Sequence, residues 1–298
     1  MKYIFIVFTL FLTTNLIAQS VSFTFDDGSL ADTPNHTAKE WNTMLLDKLN
    51  ATNVKAILFV TGNNMHGEKG NYLLSSWNDN GHKIANHTFL HANYNNESRT
   101  FEDFRKDFIK NDSIINKYSN YKKLFRFPYL KEGNTKEKVA SVRFFFKRQG
   151  YKNGYVTIDA SDWYINSRLI KRLRKNNNAD ISDFRKFYLK HVWERALFYE
   201  KLSFELTGRH IKHNLLLHHN LASALFIDDL IKMFKTKGWQ ITSAEEAFND
   251  PIYEKKPTYA GESLIYALAK DSENYENLLR YPAEDSKYEK EKMDDLGL

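Results

Sequence analysis

The 298-residue sequence contains no cysteine, 5 prolines and 12 glycines. Without cysteine there can be no disulfide framework, cysteine zinc finger or thiol nucleophile, so any metal site must be built from histidine and carboxylates. So little proline and glycine excludes collagen-like and low-complexity chains, and a hydrophobic share of 42% is that of a globular domain. The formal net charge of +6 is too modest to indicate nucleic acid binding.

The first 18 residues predict a secretory signal peptide. Lys2 provides a positive charge, an apolar stretch follows, and the small residue Ala18 precedes the polar Gln19. A transmembrane anchor is the alternative, but a membrane span needs about 20 apolar residues and this stretch has about 16. We therefore expect cleavage after Ala18, a mature chain that works outside the cytoplasm, and no stable membrane anchor after cleavage.

Segments typical of strands and helices alternate about seven times along the chain. Strands are predicted at 21–25, 54–61, 83–86, 124–127, 155–158, 215–217 and 240–241. Helices are predicted at 37–49, 72–80, 101–118, 135–149, 183–206 and 222–237. This alternation indicates an α/β fold with a parallel sheet and crossover helices, open or closed into a barrel.

Two stretches depart from the alternation. Residues 165–214 predict a helical insertion with 12 Lys and Arg against 5 Asp and Glu. We favour the interpretation that these charges form a solvated cationic helix face. The alternative is a binding surface for an anionic polymer, and such a surface would lie beside the substrate groove. Residues 251–298 are rich in Tyr, Lys and Glu and predict a C-terminal extension of a core domain at 19–250.

Polar clusters lie at or just after five of the predicted strands. In α/β barrels and open sheets, sites form at the carboxyl ends of strands because the loops there meet in one crevice. Singly, each cluster has an ordinary structural explanation, such as a turn or a surface ion pair. Together, two histidines and one carboxylate could hold a catalytic zinc, a second carboxylate could accept a proton, and a further histidine could protonate a leaving group.

The clusters resemble, in their order, the motifs of the polysaccharide deacetylases of carbohydrate esterase family four. They are Thr24-Phe25-Asp26-Asp27-Gly28, His87-Thr88-Phe89-Leu90-His91, Arg126-Phe127-Pro128-Tyr129, Asp162-Trp163 and Leu216-Leu217-His218. The resemblance implies a distorted (β/α) barrel, here with about seven parallel strands. It does not explain the insertion at 165–214 or the tail after Pro251.

The resemblance also implies a metal site and a base. Asp27, His87 and His91 would bind a divalent metal, usually zinc. Asp26 would be the general base that takes a proton from water, and Arg126 would hold and tune it.

On the other side of the crevice, the resemblance implies that His218 is the general acid and that Asp162 orients it. Trp163 and Leu216 would form a small pocket for the acetyl methyl group. The backbone N–H of Tyr129 would join the metal in stabilising the oxyanion.

One pairing stays open at the level of sequence. Asp159 lies three residues before Asp162, so either carboxylate could face His218. Asn220, two residues beyond His218, stands in a stretch where many members of the family have an acid.

The implied function is a secreted, metal-dependent hydrolase that removes acetyl groups from an extracellular or cell-envelope glycan. An N-acetyl amide on a peptidoglycan-like or chitin-like polymer is the expected substrate. An O-acetyl esterase with the same site is one alternative, a hydrolase of small amides is another, and a non-catalytic carbohydrate-binding protein on the same fold is the third. The expected metal ligands, base and acid are all present, which favours catalysis.

Overall fold

The computed structural model describes residues 18–279 and 286–298. The leader predicted at 1–18 therefore lies outside the described residues, apart from Ala18. Within the described ranges, no helix has both the length and the apolar character that crossing a membrane requires.

In this part of the chain, seven strands form one sheet with parallel pairings throughout. They are β1 (Ser20–Asp27), β2 (Ile57–Val60), β3 (Lys83–Asn86), β4 (Tyr121–Phe125), β5 (Lys152–Asn153), β6 (Lys212–His218) and β7 (Gln240–Ile241). The order is β5-β4-β3-β2-β1-β6, and β7 pairs with the start of β1. The predicted α/β barrel architecture with about seven parallel strands is confirmed.

Helices surround this sheet. They are α1 (Ala38–Ala51), α2 (Gly67–Asp79), α3 (Phe101–Ile115), α4 (Lys136–Gln149), α5 (Asp162–Lys175), α6 (Ser182–Thr207), α7 (Leu221–Thr236), α8 (Ala244–Ala247), α9 (Leu264–Asp271) and α10 (Lys287–Asp295). Short 3-10 helices lie at Gly62–Asn64, Pro128–Leu130, Pro251–Glu254 and Glu276–Leu278. The sequence interpretation missed α5, although Ile165, Leu169 and Leu173 repeat at helical spacing and are buried.

β1 pairs with β2, β6 and β7, and its side chains alternate between two environments. Phe23 and Phe25 face the helix layer, where their rings lie 6.1 Å from Phe234 and 5.6 Å from Trp77. Thr24 and Asp26, which follow Phe23 and Phe25 in turn, point to the opposite face, into the barrel. The alternation read from the sequence thus places aromatic packing outside and polar groups inside.

A single extended segment, 152–158, closes the barrel between β4 and β6. At its start, the Gly154 N–H donates to the Phe125 carbonyl at 2.6 Å. At its end, the Ile158 N–H donates to the Asn214 carbonyl at 3.0 Å. The strand predicted at 155–158 is therefore reduced to one bridge at Ile158, because the segment must cross from one strand to the other.

The basic residues of the insertion are largely used for internal contacts. Five of its 12 basic side chains pair with acids outside 165–214, on α7, on α8, just after α8 and in the C-terminal extension. The pairs are Arg168–Asp294, Arg185–Asp229, Arg195–Glu289, Arg209–Asp250 and Lys212–Glu246. The local charge excess therefore holds the insertion against its neighbours, a role that neither sequence interpretation included.

Gly154→Ala is expected to lower the free energy of unfolding by about 3 kcal/mol, the upper end of the usual cost of overpacking. A Cβ at this position would lie 2.5 Å and 2.6 Å from two ring carbons of the fully buried Phe59. Urea denaturation followed by circular dichroism measures the loss.

Gly208→Ala is the control for this variant. A Cβ at Gly208 meets open space, and only its positive φ of 70° opposes the substitution, at a cost of about 1 kcal/mol. Equal losses in the two variants would contradict tight packing at the closing segment.

Candidate active site

The polar clusters meet at the carboxyl ends of the strands, on loops with strained backbone. Of nine non-glycine residues with positive φ in the described ranges, six lie in these loops. They are Asp27, Thr88, His91, Tyr129, Leu130 and Ser161. Each such conformation costs on the order of 1–3 kcal/mol and persists only where the surroundings enforce it, as is common at functional sites.

Asp27, His87 and His91 form a cluster at the mouth of the barrel. The Oδ1 atom of Asp27 lies 3.6 Å from Nε2 of His87 and 3.2 Å from Nε2 of His91. One ligand atom from each of the three residues falls within 4.8 Å of the others. A tetrahedral zinc with bonds of about 2.0 Å would separate its ligands by about 3.3 Å, so the spacing suits one ion.

Three further observations support a cation at this cluster. The Nδ1–H of His87 donates to the Arg126 carbonyl at 2.8 Å, which leaves the Nε2 lone pair directed at the cluster. Burial lowers the pKa of His87 to about 3, so its ring is neutral, as a metal ligand must be. The Oδ1 atom of Asp27 is buried and has no hydrogen-bond partner among the described residues.

Asp26 lies next to this cluster and is held by Arg126. The Nη1 atom of Arg126 donates to Oδ1 of Asp26 at 2.6 Å, and both side chains are buried. The second oxygen, Oδ2, lies 3.7 Å from Nε2 of His87, beside the metal ligands. Burial raises the pKa of Asp26, and the charge of Arg126 opposes that rise.

Several contacts fix the Arg126 guanidinium. Its Nε donates to the Gly154 carbonyl at 2.8 Å and its Nη1 to Oγ1 of Thr24 at 2.9 Å. Its central carbon lies 3.9 Å from the ring centroid of Phe59. The sequence interpretation gave no role to Thr24, Gly154 or Phe59. Only Thr24 carries a local signal, as a polar residue that faces the barrel two positions before Asp26.

His218 ends β6 and pairs with Asp162, which settles the pairing left open by the sequence. The Nδ1 atom of His218 lies 2.7 Å from Oδ1 of Asp162, and the His218 backbone N–H donates to Oδ2 at 2.9 Å. Asn220 donates to the same Oδ2 at 3.0 Å. Burial lowers the pKa of His218, but the charge and hydrogen bond of Asp162 outweigh it and raise this pKa to about 10. Asp159 is buried nearby, and burial raises its pKa to about 7.

The three residues expected to touch substrate lie around the same mouth. Tyr129 is 46% exposed, and its ring centroid lies 4.8 Å from that of His91. Trp163 is 37% exposed at the start of α5. Leu216 is 5% exposed and pairs in register with Thr24, which places its side chain inside the barrel. It lies two residues before His218 on β6, so the two side chains share one face of the strand.

Two buried amides that the sequence interpretation missed support the loop of His87. Oδ1 of Asn86 accepts from the Thr88 N–H and from Nδ2 of Asn111, both at 2.9 Å. Asn111 also donates to the Val60 carbonyl at 2.6 Å. Asn111 comes from α3, and its polar character inside an amphipathic helix gave no specific signal.

The comparisons with known proteins agree with the fold and the site motifs. Residues 13–143 match the family profile described as Polysaccharide deacetylase. A peptidoglycan-N-acetylglucosamine deacetylase of Bacillus cereus is 32% identical over 144 residues, which are 48% of this chain and 46% of that protein. The chain thus spans about half the length of that relative.

Solved structures share the fold at low sequence identity. The chitin deacetylase of the fungus Colletotrichum lindemuthianum has a TM-score of 0.55 at 18% identity, covering 78% of this chain and 91% of that one. A family-four pseudoenzyme from Bacillus anthracis has a TM-score of 0.53 at 18% identity, covering 78% and 66%. Over residues 13–143, which contain the first three of the ordered motifs, the chain is thus similar to the polysaccharide deacetylase family, and it shares the fold of the solved members.

Proposed function

We propose that this protein is a metal-dependent deacetylase that acts outside the cytoplasm on an acetylated glycan. The observation that carries the proposal is the arrangement of three potential metal ligands beside a buried Arg126–Asp26 pair, with the His218–Asp162 pair at the same mouth. Each chemical group that amide hydrolysis needs has a candidate in this arrangement.

Asp27, His87 and His91 would hold the divalent ion, with zinc as the first candidate. Once bound, such an ion lowers the pKa of a coordinated water and polarises a carbonyl group. Three protein ligands leave a coordination position open, as in catalytic rather than structural zinc sites.

The remaining roles belong to the chain itself. Oδ2 of Asp26 would accept the proton of the attacking water, while Arg126 keeps the carboxylate in place. The Tyr129 N–H would donate to the developing oxyanion. His218, held by Asp162, would then protonate the departing nitrogen through its Nε2 atom.

An N-acetyl amide suits this acid better than an O-acetyl ester. An amine leaves only when protonated, and a pKa of about 10 keeps His218 protonated at neutral pH. The relatives also carry the names of a peptidoglycan-N-acetylglucosamine deacetylase and a chitin deacetylase. The exposed rings of Tyr129 and Trp163 provide flat apolar surfaces for a sugar chain, with the acetyl methyl group directed at Leu216.

A non-catalytic glycan-binding protein is the second candidate, because one structural neighbour is named a pseudoenzyme. Here the expected ligands, base and acid are all present, which favours turnover. The same site could also remove O-acetyl groups. Acetate release from N-acetylated and from O-acetylated glycans distinguishes the two activities.

Secretion is proposed from the leader at 1–18. Protein collected outside cells of a native-like host is expected to begin at Gln19 when its N-terminus is sequenced. A membrane-bound product that retains Met1 would contradict export by a cleaved leader.

Two adjacent carboxylates are expected to respond differently to substitution. Asp27→Ala should lose most of the bound zinc, because one of three protein ligands is gone. Asp26→Asn should keep about one zinc per chain while turnover falls by roughly 10² to 10⁴, the usual contribution of a general base. Elemental analysis and acetate release from a panel of N- and O-acetylated glycans measure both effects.

These results separate the proposal from its rivals. Acetate release by the wild type from N-acetylated polymers supports deacetylation, and release from O-acetylated polymers alone supports the esterase. A fully active Asp26→Asn protein, or an Asp27→Ala protein with normal zinc content, means that the roles are wrongly assigned.

Asp162→Asn is expected to move the alkaline limb of the kcat/KM profile to lower pH. With Asp162, His218 stays protonated up to its pKa of about 10. Without that charge, only the weaker attraction of Asp27 and Asp26 opposes the effect of burial, so the His218 pKa falls from about 10 toward its ordinary value of about 6.5 and the acid is lost at lower pH. Acetate release followed across this pH range measures the shift.

Asn220→Ala is the matched control, because it removes a neutral hydrogen bond to the same carboxylate and leaves the charge. Its alkaline limb should move far less than that of Asp162→Asn. An unshifted limb in Asp162→Asn would exclude His218 as the general acid.

A further inference from the structure

The C-terminal extension crosses the closing segment of the barrel behind the candidate active site. The Leu264 N–H donates to the Val156 carbonyl at 2.7 Å, inside segment 152–158. Earlier in the extension, the Pro257 carbonyl accepts a hydrogen bond from Nη2 of Arg143, on α4, at 2.9 Å. The extension is therefore fixed against the same segment whose Gly154 carbonyl accepts from Arg126.

Glu262 is the acidic residue of this crossing, and it points inward. It is 8% exposed and has a positive φ of 60°. Its Oε1 atom pairs with Nζ of Lys131. Its Oε2 atom is buried and has no hydrogen-bond partner among the described residues. A strained backbone that buries a half-satisfied carboxylate needs a compensating interaction.

Arg126 has the complementary unsatisfied group. Its Nε and Nη1 atoms are used, but its Nη2 atom is buried and has no partner in the described ranges. Arg126 and Glu262 line the same small cavity, together with Gly154, Leu130 and Leu264. The cavity measures about 10 Å³, close to the smallest space that holds one water.

We infer that Glu262 is a positioning residue for the Arg126–Asp26 pair and acts through one buried water in this cavity. The water accepts a hydrogen bond from Nη2 of Arg126 and donates one to Oε2 of Glu262. Both orphaned atoms are then satisfied, as buried polar groups in proteins nearly always are. This inference rests on the proposed function, because it assigns Glu262 to the support of the base.

The position of Asp26 depends on how many hydrogen bonds hold the Arg126 guanidinium. The bonds to Gly154, Thr24 and Asp26 leave one edge of Arg126 without support, and the water and Glu262 supply it. Without Glu262 the guanidinium can tilt and take the Asp26 carboxylate with it. Errors of about 1 Å in catalytic geometry can reduce rates up to 10²-fold. Glu262 is buried behind the site, so substrate binding should not depend on it.

Glu262→Ala is therefore expected to lower kcat about tenfold while KM and zinc content stay unchanged. Glu262→Gln retains a side chain of the same shape that can bond the water, so it should keep at least half of the wild-type kcat. Asp250→Asn is the matched control, because Asp250 is a buried, arginine-paired carboxylate just before the extension that lies at the start of β6, far from the mouth. It should lose stability without losing kcat.

Three kinetic outcomes would overturn the inference: an unchanged kcat in Glu262→Ala, a rise in KM that accounts for the loss, or an equal kcat loss in Asp250→Asn. A Glu262→Gln protein as defective as Glu262→Ala would also overturn the role of the water.

A crystal structure of the wild-type protein tests the same inference without any activity. We expect an electron-density peak about 2.7–3.2 Å from both Nη2 of Arg126 and Oε2 of Glu262. A structure with no such peak overturns the bridge. If the wild type releases no acetate from any glycan, the proposed function fails. The crystal structure still decides whether a water joins Glu262 to Arg126.

Discussion

Arg126 and Asp26 form an ion pair inside the barrel, with 2.6 Å between Nη1 and Oδ1. Loss of one partner from such a pair leaves an unpaired buried charge and typically costs about 3–5 kcal/mol. Arg126 also acts through its backbone, because its carbonyl accepts from Nδ1 of His87. One residue therefore fixes the candidate base with its side chain and a candidate metal ligand with its main chain. The relative position of these two groups depends on a single loop after β4.

The two segments that the family motifs leave unexplained are joined to each other. Arg195 of α6 pairs with Glu289 of α10 at 2.8 Å, and both side chains are fully buried. Arg168 of α5 pairs with Asp294 at 2.7 Å, and Met293 between these contacts is fully buried. In this chain without cysteine, side-chain pairing and packing therefore attach α10 to the insertion.

The sequence was sufficient for the architecture and for the motif residues of the site, because both depend on local patterns. Alternating strands and helices predict a parallel sheet, and polar residues at strand ends predict a shared mouth. The supports of the site were not predictable in this way. Phe59 and Gly154 contact Arg126 from distant parts of the chain, and Gly154 does so through a carbonyl that every residue has. The sequence also does not signal the left-handed conformation of Ser161, which lies between Asp159 and Asp162.

The alternation of side chains along β1 has a consequence for the tolerance of this fold to change. Asp26 faces the barrel interior, and Asp27, the next residue, reaches the cluster at the mouth. Because the period of a strand is two residues, an insertion or deletion of one residue within β1 would exchange these two environments and would also bring Phe23 and Phe25 inside. β1 is paired on both edges, so a shifted strand could not adjust without breaking both ladders. The strand can therefore vary in side-chain identity but not in length. Its register with β2 and β6 holds Asp26 and Asp27 in their places at the candidate active site.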